Sequence, residues 1–165
     1  MKKWWFLVLL CLMLTGCGKE VYETMSDLYE VPKDLKPAEV LLMLPQEAAL
    51  MTAKEASNDR FYLCKDFTLS VRTLPGGDLE KTLKEVSGYA KEQLSLVCLN
   101  LEELKRYEFV WAVAGEQGDE LARAVILDDG VFHYVLTLQA PAEQVSQLQQ
   151  TWKELIDTFS LDIVP

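Results

Sequence analysis

Three consecutive runs rich in β-branched and aromatic residues dominate the second half of this 165-residue sequence. They are Arg106–Gly115, Glu120–Asp128 and Val131–Gln139, and turn residues separate them. Asp129-Gly130 between two such runs is a strong hairpin signal, so the sequence predicts three antiparallel strands. Both alternating faces of these strands are largely apolar, whereas a sheet that is solvated on one face alternates apolar and polar residues. We therefore expect cover on both faces.

Two amphipathic segments can supply that cover. Asp78 suits the N-cap of a first helix, and Gly88 inside its pattern indicates a kink or close packing against the sheet. Pro141 suits the start of the last helix. Apolar residues recur at helical spacing in both segments: Leu79, Leu83, Val86, Ala90 and Leu94 in the first, and Val145, Leu148, Trp152, Leu155, Ile156 and Phe159 in the last. The prediction is an α+β fold, an antiparallel sheet with helices on both faces.

The region before the first helix also favours strands. Arg60–Leu74 predicts two strands, or one bent strand, around Lys65-Asp66. Pro75-Gly76-Gly77 ends this region as a turn. The apolar runs Val40–Leu44 and Ala48–Ala53 are so short that periodicity cannot separate strand from helix.

The order of these elements resembles the PsbP-like α/β/α sandwich superfamily, which includes extrinsic photosystem II proteins, Ran-binding Mog proteins and bacterial lipoproteins. The resemblance extends over Phe61–Leu161 and is carried by DDGVFHYVLTLQAPAEQ (Asp128–Gln144) and WKELIDTFSL (Trp152–Leu161). These segments are similar to the last strand, Ala-Pro turn and closing helix of the bacterial members. The resemblance implies a non-catalytic binding or accessory domain. It assigns a role to no residue, because a shared fold does not imply a shared function.

The N-terminus carries a separate signal. Trp4–Leu14 is an uncharged run of eleven residues behind Lys2 and Lys3, whereas a membrane-spanning helix needs about 20. Its length fits the apolar core of an export signal. Leu14-Thr15-Gly16-Cys17 resembles the bacterial lipobox, in which the signal is removed before the cysteine and the sulfur carries a diacylglycerol. The resemblance implies lipidation of Cys17; the alternatives are an ordinary secretory signal or a buried N-terminal helix.

These features predict three parts of the chain. Residues 1–16 are expected to be a lipoprotein signal peptide, residues 17–37 a lipidated cysteine with a flexible tether, and residues 38–165 a single globular domain. A flexible coil of the tether's length spans about 25 Å on root-mean-square. Because two acyl chains anchor a protein stably, we expect the domain to be anchored to the cell membrane and to face outside. In a host with two membranes, the outer membrane is the expected location.

The net charge of the chain limits the classes of partner that we expect. The net charge is −10, and removal of residues 1–16, which carry two lysines and no acid, makes it −12. Such acidity argues against nucleic acid and against a protein surface that lies on anionic lipid. We expect the membrane contact to be the lipid on Cys17 alone, and an envelope protein to be the partner. No cofactor is predicted.

Two cysteines remain after Cys11 is removed and Cys17 is lipidated. Cys64 and Cys98 would lie outside the membrane, where disulfides persist. They permit one intramolecular bridge. The alternative is two separately buried thiols that behave as small apolar residues.

No catalytic or metal site is predicted. His133 is the sole histidine, and its position within a predicted strand favours a packed or surface-facing sheet residue. The acidic clusters Asp128-Asp129 and Glu116/Asp119/Glu120 lie at opposite ends of one strand, roughly 25 Å apart, so they cannot share an ion.

Aromatic residues leave two possibilities open. Tyr107, Trp111 and Tyr134 can line a ligand groove between sheet and helix, or fill the core. The leading functional hypothesis is an anchored extracytoplasmic lipoprotein whose domain binds an envelope component without catalysis. The alternatives are a hydrolase that uses His133 with an acid or serine, and a carrier that holds a small apolar ligand under the Trp152 helix.

Overall fold

The structure, a computed structural model, describes residues 35–54, 59–101, 104–115 and 118–162. All of them belong to one compact unit, Val31–Pro165. The expected signal peptide, Cys17 and the expected tether up to residue 34 lie outside the described residues. No helix in the described ranges combines the length and apolarity that a membrane crossing requires.

The described residues form nine strands and two α-helices. The strands are β1 (Glu39–Leu41), β2 (Ala49–Lys54), β3 (Asp59–Leu63), β4 (Thr68–Pro75), β5 (Val97–Asn100), β6 (Lys105–Gly115), β7 (Gly118–Asp128), β8 (Phe132–Pro141) and β9 (Ser160–Asp162). The helices are α1 (Leu79–Ser87) and α2 (Val145–Thr158), and a short 3₁₀ helix, Lys91–Gln93, follows α1. The predicted α+β class is confirmed.

Strands β2 to β8 form the main sheet, in the order β2-β3-β4-β8-β7-β6-β5 and with every neighbouring pair antiparallel. The short strands β1 and β9 pair with each other in a separate two-stranded sheet. Strand β8 lies at the centre of the main sheet, between β4 and β7. The three strands predicted in the second half of the sequence are therefore confirmed as β6, β7 and β8.

Both faces of the central strand are buried. Tyr134, Leu136 and Leu138 of β8 point to one face, and His133 and Val135 point to the other, since successive side chains of a strand alternate. We call the first face the α2 face and the second the α1 face, after the helices that cover them. Each fully buried aliphatic or aromatic side chain contributes about 1.5–3 kcal/mol relative to an exposed one.

The α2 face is covered by the predicted amphipathic stripe. All members of that stripe except the half-buried Val145 are buried: Leu148, Trp152, Leu155, Ile156 and Phe159. The segment around β1 packs against the same cluster through Ala38, Val40 and Leu42. The helix starts later than predicted, because Pro141 is the last residue of β8, opposite Glu120, and α2 begins at Val145.

The α1 face is covered by a shorter helix than predicted. Asp78 is the N-cap, and its Oδ1 accepts a hydrogen bond from the Lys81 N–H at 3.0 Å. Gly88 ends the helix in the left-handed conformation (φ +80°), and its N–H donates to the Lys84 carbonyl. The prediction of a continuous helix to Leu94 is thus wrong, because Gly88 is a cap and not an internal kink. Leu94 still packs against the α1-face core from the segment beyond.

The remaining elements are strands at the edges. Arg60–Leu74 forms two strands, β3 and β4, around Lys65-Asp66. The run Ala48–Ala53 is mostly β2, whereas only Val40 and Leu41 of the run Val40–Leu44 belong to β1. The sequence did not predict β5 or β9, because both are short, and β5 has no buried residue. The expected cover is incomplete at β6, where Val110, Ala112 and Ala114 point to the α2 face and are exposed.

Substitution of Trp152 tests how much the packing of α2 contributes to stability. Its indole is buried, its ring packs edge-on against Phe67 at 6.3 Å, and its Nε1 is the one buried side-chain N or O atom of the described residues without a hydrogen-bond partner. We expect Trp152→Ala to lower the free energy of unfolding by about 3–5 kcal/mol. Trp152→Phe should cost less than about 1.5 kcal/mol, because loss of the unpaired N–H offsets part of the lost packing. Urea denaturation measures both, and equal losses would contradict this packing.

Candidate functional site

An open groove lies on the part of the α1 face that α1 does not reach. A helix of nine residues is about 14 Å long, whereas a strand of ten residues spans about 34 Å. Helix α1 therefore covers His133 and Val135 but leaves Thr137 and Gln139 of the same strand half-buried at the groove. We call this space the sheet groove. Its volume is about 590 Å³, and it continues past Phe61 into a further 360 Å³ beside Met51.

Aromatic side chains form one wall of the sheet groove. Trp111 of β6 stacks on Phe109 with ring centroids 5.2 Å apart, so its ring is held rigidly. Tyr89 follows the Gly88 cap, and its hydroxyl donates to the Ala112 carbonyl at 3.1 Å. Phe61 of β3 closes the opposite side. These rings offer apolar surface that is already ordered.

The floor of the sheet groove is polar. Ser70 of β4 and Thr137 of β8 lie directly opposite each other in the strand pairing. Gln139 donates to the Glu120 carboxylate, and Arg72 forms ion pairs with Glu85 and, at 4.0 Å, with Asp59. Because carboxylates already pair with Arg72, the floor presents hydroxyl and amide groups more than free charge. Mostly apolar walls with a few placed polar groups are typical of ligand sites.

His133 lies outside this groove, beneath the first turns of α1. Its Nδ1 is 2.7 Å from Thr82 Oγ1, and its Nε2 is 3.7 Å from Asp128 Oδ1. Burial lowers the pKa of His133, although the nearby carboxylates of Asp128, Asp129 and Asp78 act in the opposite direction. The hydroxyl–imidazole–carboxylate order is that of a hydrolase, but Thr82 and His133 are 3% and 1% exposed. A substrate has no access to them, and the array instead joins α1 to β8.

The two cysteines lie far apart. Cys64 is buried after β3, whereas Cys98 is exposed on the edge strand β5, and both are free thiols. Four strands lie between them, which corresponds to about 24 Å. A disulfide needs Cα atoms closer than about 7 Å, so the bridge that the sequence left open is not formed. The alternative of two buried thiols holds for Cys64 alone. Burial, with Glu47 nearby, raises the pKa of the Cys64 thiol, which makes it unreactive.

The predicted acidic clusters have structural partners. Asp129 Oδ1 accepts the N–H groups of Val131 and Phe132, and its Oδ2 accepts the Tyr134 hydroxyl at 2.9 Å. The hydroxyl of Tyr134 in turn accepts the Ala38 N–H at 2.8 Å. Asp119 and Glu120 lie at the other end of β7, and Glu116 is outside the described residues. Within those residues, no group of three or more His, Cys, Asp or Glu side chains could hold a metal ion.

Only one of the three candidate aromatic residues lines the sheet groove. Trp111 does so, although it is 8% exposed and belongs to the α1-face core as well, whereas Tyr134 is buried in the α2-face core and Tyr107 packs against the α1-face core. Sequence reasoning missed the polar floor. Its signal is the alternation of polar residues with Leu69, Val71, Leu136 and Leu138, which places Ser70, Arg72, Thr137 and Gln139 on one face of two predicted strands.

Comparison with known proteins identifies the fold. No protein family profile matches the sequence, and no curated protein is similar to it. Among solved structures, cyanobacterial PsbP (CyanoP) from Synechocystis matches with a TM-score of 0.54 at 10% identity, over 79% of this chain and 96% of that one. The fold is PsbP-like. Identity this low shows the fold alone.

Two further structures are similar to this PsbP-like chain. A Bacteroides thetaiotaomicron protein matches with a TM-score of 0.52 at 13% identity, over 75% of this chain and 45% of that one, so this chain spans less than half of it. LpqN of Mycobacterium tuberculosis, involved in cell envelope biogenesis, matches with a TM-score of 0.49 at 11% identity, over 84% of this chain and 96% of that one. The fold assignment rests on the two higher scores.

The buried imidazole predicts a pH dependence of stability. Because the pKa of His133 is lowered in the folded state, the unfolded chain gains a proton first as the pH falls below about 6.5. The free energy of unfolding should therefore fall by up to about 1.4 kcal/mol per pH unit below that value. His133→Asn keeps a group that can bond Thr82 but cannot titrate. Urea denaturation between pH 7.5 and 5.5 should show a smaller decline for the variant, and parallel curves would contradict the prediction.

Proposed function

We propose that the chain is a membrane-anchored extracytoplasmic lipoprotein whose domain is a non-catalytic binding module, with the sheet groove as its binding site. The observation that carries the proposal is the preformed groove, in which ordered aromatic rings stand over a bare, polar sheet floor. The expected occupant is an envelope component that offers hydrogen-bonding groups to Ser70, Thr137 and Gln139. A flat or apolar group of that component would pack against Trp111.

The composition of the groove supports binding more than catalysis. Arg72 and Tyr89 are its titratable lining residues among those described. Arg72 is paired with carboxylates, and the Tyr89 hydroxyl is bonded to a backbone carbonyl. Both groups are thus already engaged, whereas a general base must be free to reach the substrate by a hydrogen bond. The hydrolase alternative would need the buried His133.

The apolar-carrier alternative lacks space. The residues beneath Trp152 pack closely in the α2-face core, which includes Phe67, Leu138 and Leu148. The open space at α2 lies beside the helix and not beneath Trp152, and both charged and apolar side chains line it. An apolar ligand would have to displace core side chains, which costs several kcal/mol per side chain.

The anchoring half of the proposal is supported by the sequence before the domain. A short apolar run, small residues and Cys17 follow in the order of a lipobox. The described domain starts its first strand at Glu39, so the chain from Gly18 onward would connect lipid and domain.

Replacing either of two serines by arginine tests whether the sheet groove is the binding site. Ser70→Arg places a long charged side chain on the floor of the sheet groove, whereas Ser95→Arg places it on an exposed loop position. In cross-linked native membranes, wild type and Ser95→Arg should recover the same specific partner. Ser70→Arg should recover about tenfold less, since an unpaired charge in an interface costs at least about 1.4 kcal/mol. Equal recovery by all three proteins, or turnover of a small substrate without a partner, would contradict the proposal.

Cys98 reports the side of the membrane on which the domain lies. It is exposed, whereas Cys64 is buried and serves as an internal control. A membrane-impermeant maleimide applied to cells whose cytoplasmic membrane is intact should label Cys98 and leave Cys64 unmodified, and Cys98→Ser should abolish the label. The N-terminal peptide of the labelled protein should begin at Cys17 and carry a diacylglycerol mass. Labelling only after the cytoplasmic membrane is broken would overturn the proposed location.

A further inference from the structure

A second bare surface lies on the opposite face of the sheet from the sheet groove. The cover of the α2 face ends at β7, and the outer strands β6 and β5 are left open on that side. Val97 and Leu99 of β5 are 56% and 46% exposed, and Val110 of β6 is 53% exposed. The pairing of Val97 with Glu108 and of Leu99 with Arg106 places these side chains on one face. Together with Ala112 and Ala114 they form what we call the β5–β6 strip.

Helix α2 forms a wall along this strip. The space between helix and strip has a volume of about 810 Å³, and Leu121, Val145 and Ile156 contribute apolar surface to it. Trp152 also lines it, and the Trp152 Nε1 has no hydrogen-bond partner within the described structure.

The charges in the space are unlike those of the chain as a whole. Both oxygens of Glu108 are engaged, one by Arg106 and the other by Arg123, each at 2.8 Å. Burial alone would raise the pKa of Glu108, but the hydrogen bonds and charges of Arg123 and Arg106 outweigh it and hold the pKa below its usual value. The carboxylate therefore stays ionised, and two guanidinium groups share one negative charge. Each guanidinium has five N–H donors, so several remain for a further acceptor.

Lys153 adds a third cation to the lining, beside Asp157. Three cations and two carboxylates give this surface a positive excess on a chain whose net charge is −10. An acidic partner is favoured by this local charge, and a basic one is not.

We propose that the β5–β6 strip and the adjacent side of α2 bind an acidic amphipathic helix of a partner protein. Where β5 pairs with Lys105–Glu108 of β6, the strip is two strands or about 10 Å wide, which matches the 10–12 Å diameter of a helix, and beyond Glu108 it continues along β6 alone. The strip from Arg106 to Ala114 is about 27 Å long, which corresponds to roughly 18 helical residues. Such a helix would lie beside α2 and complete the layer. Its apolar side would cover Val97, Leu99 and Val110, and its carboxylates would bond Arg106 and Arg123.

A second copy of the chain does not supply this occupant from its described part. Helices α1 and α2 already bury their apolar residues in the core of the chain itself. The described part of the chain thus leaves the strip open, and the occupant that we propose is a helix of a different protein. Recognition of this kind depends on apolar anchors at helical spacing, with charge at the margins. The site is separate from the sheet groove, so this inference does not rest on the function proposed for that groove.

Photo-cross-linking of the full chain in its native host tests this inference. p-Benzoylphenylalanine at Val110 probes the strip, and the same residue at Lys65, exposed in the turn between β3 and β4, is the control. Mass spectrometry then identifies the cross-linked peptide. We expect an acidic peptide with apolar residues at three- and four-residue spacing at position 110, and none at position 65. Arg123→Glu and Lys153→Glu, the second at a side chain that is 64% exposed, should each lower the yield by about tenfold or more, because like charges oppose each other in an interface.

Lys153→Glu keeps the test decisive, since it changes the charge without altering the sheet. A folded Lys153→Glu protein that cross-links as well as wild type would overturn the charge argument. A product formed with a second copy of the chain, with lipid, or with a basic or extended peptide would overturn the proposed occupant. A yield at position 110 no higher than at position 65 would overturn the site.

Discussion

The burial of β8 on both faces is the constraint on which the rest of the structure depends. This strand pairs with β4 on one edge and with β7 on the other, and Tyr134 to Leu138 alternate between two cores. Each core needs its own cover, so the chain places one helix on each face. Because a helix is about as wide as two strands, one helix per face covers the centre of the described sheet and leaves its margins bare.

The uncovered margins of the sheet are the surfaces on which a partner could bind. On the α1 face the helix is short along the strand direction, which leaves the far ends of β4 and β8 open as the sheet groove. On the α2 face the helix lies over β7 and β8, which leaves β5 and β6 open across the sheet. The two surfaces differ in chemistry: hydroxyl and amide groups under aromatic rings in one, and paired arginines beside aliphatic residues in the other. Under the two proposals, the scaffold would hold a different partner on each surface.

Much of this fold was predictable from local patterns. The Asp129-Gly130 turn, the Asp78 cap and the apolar stripe of α2 each depend on residues close together in the sequence, and all three are confirmed. The end of α1 was not predicted, because a glycine inside an apolar pattern suits a cap as well as a kink. Strand β5 was missed because it is short, lies at an edge and has no buried face.

The candidate site was less accessible to sequence reasoning. Ser70 and Thr137 meet only because β4 and β8, which are distant in the sequence, become neighbours in the sheet. Whether their side of the sheet is open depends on where α1 stops, and that depends on Gly88. The aromatic wall depends on the same helix end, because Tyr89 directly follows the Gly88 cap, and Trp111, a residue of the α1-face core, lines the groove beside it. Local pattern thus predicts the layers, and long-range pairing decides which part of them stays bare.

Oxidation of two exposed methionines tests most directly whether the sheet groove is a binding surface. Met51 and Met43 are 63% and 74% exposed, but only Met51 lines the extension of the sheet groove. Hydroxyl-radical footprinting should oxidise both side chains in the purified protein. In the native envelope the account predicts that Met51 becomes protected while Met43 remains reactive. Equal oxidation of Met51 in the two preparations would contradict the claim that the bare sheet is a binding surface.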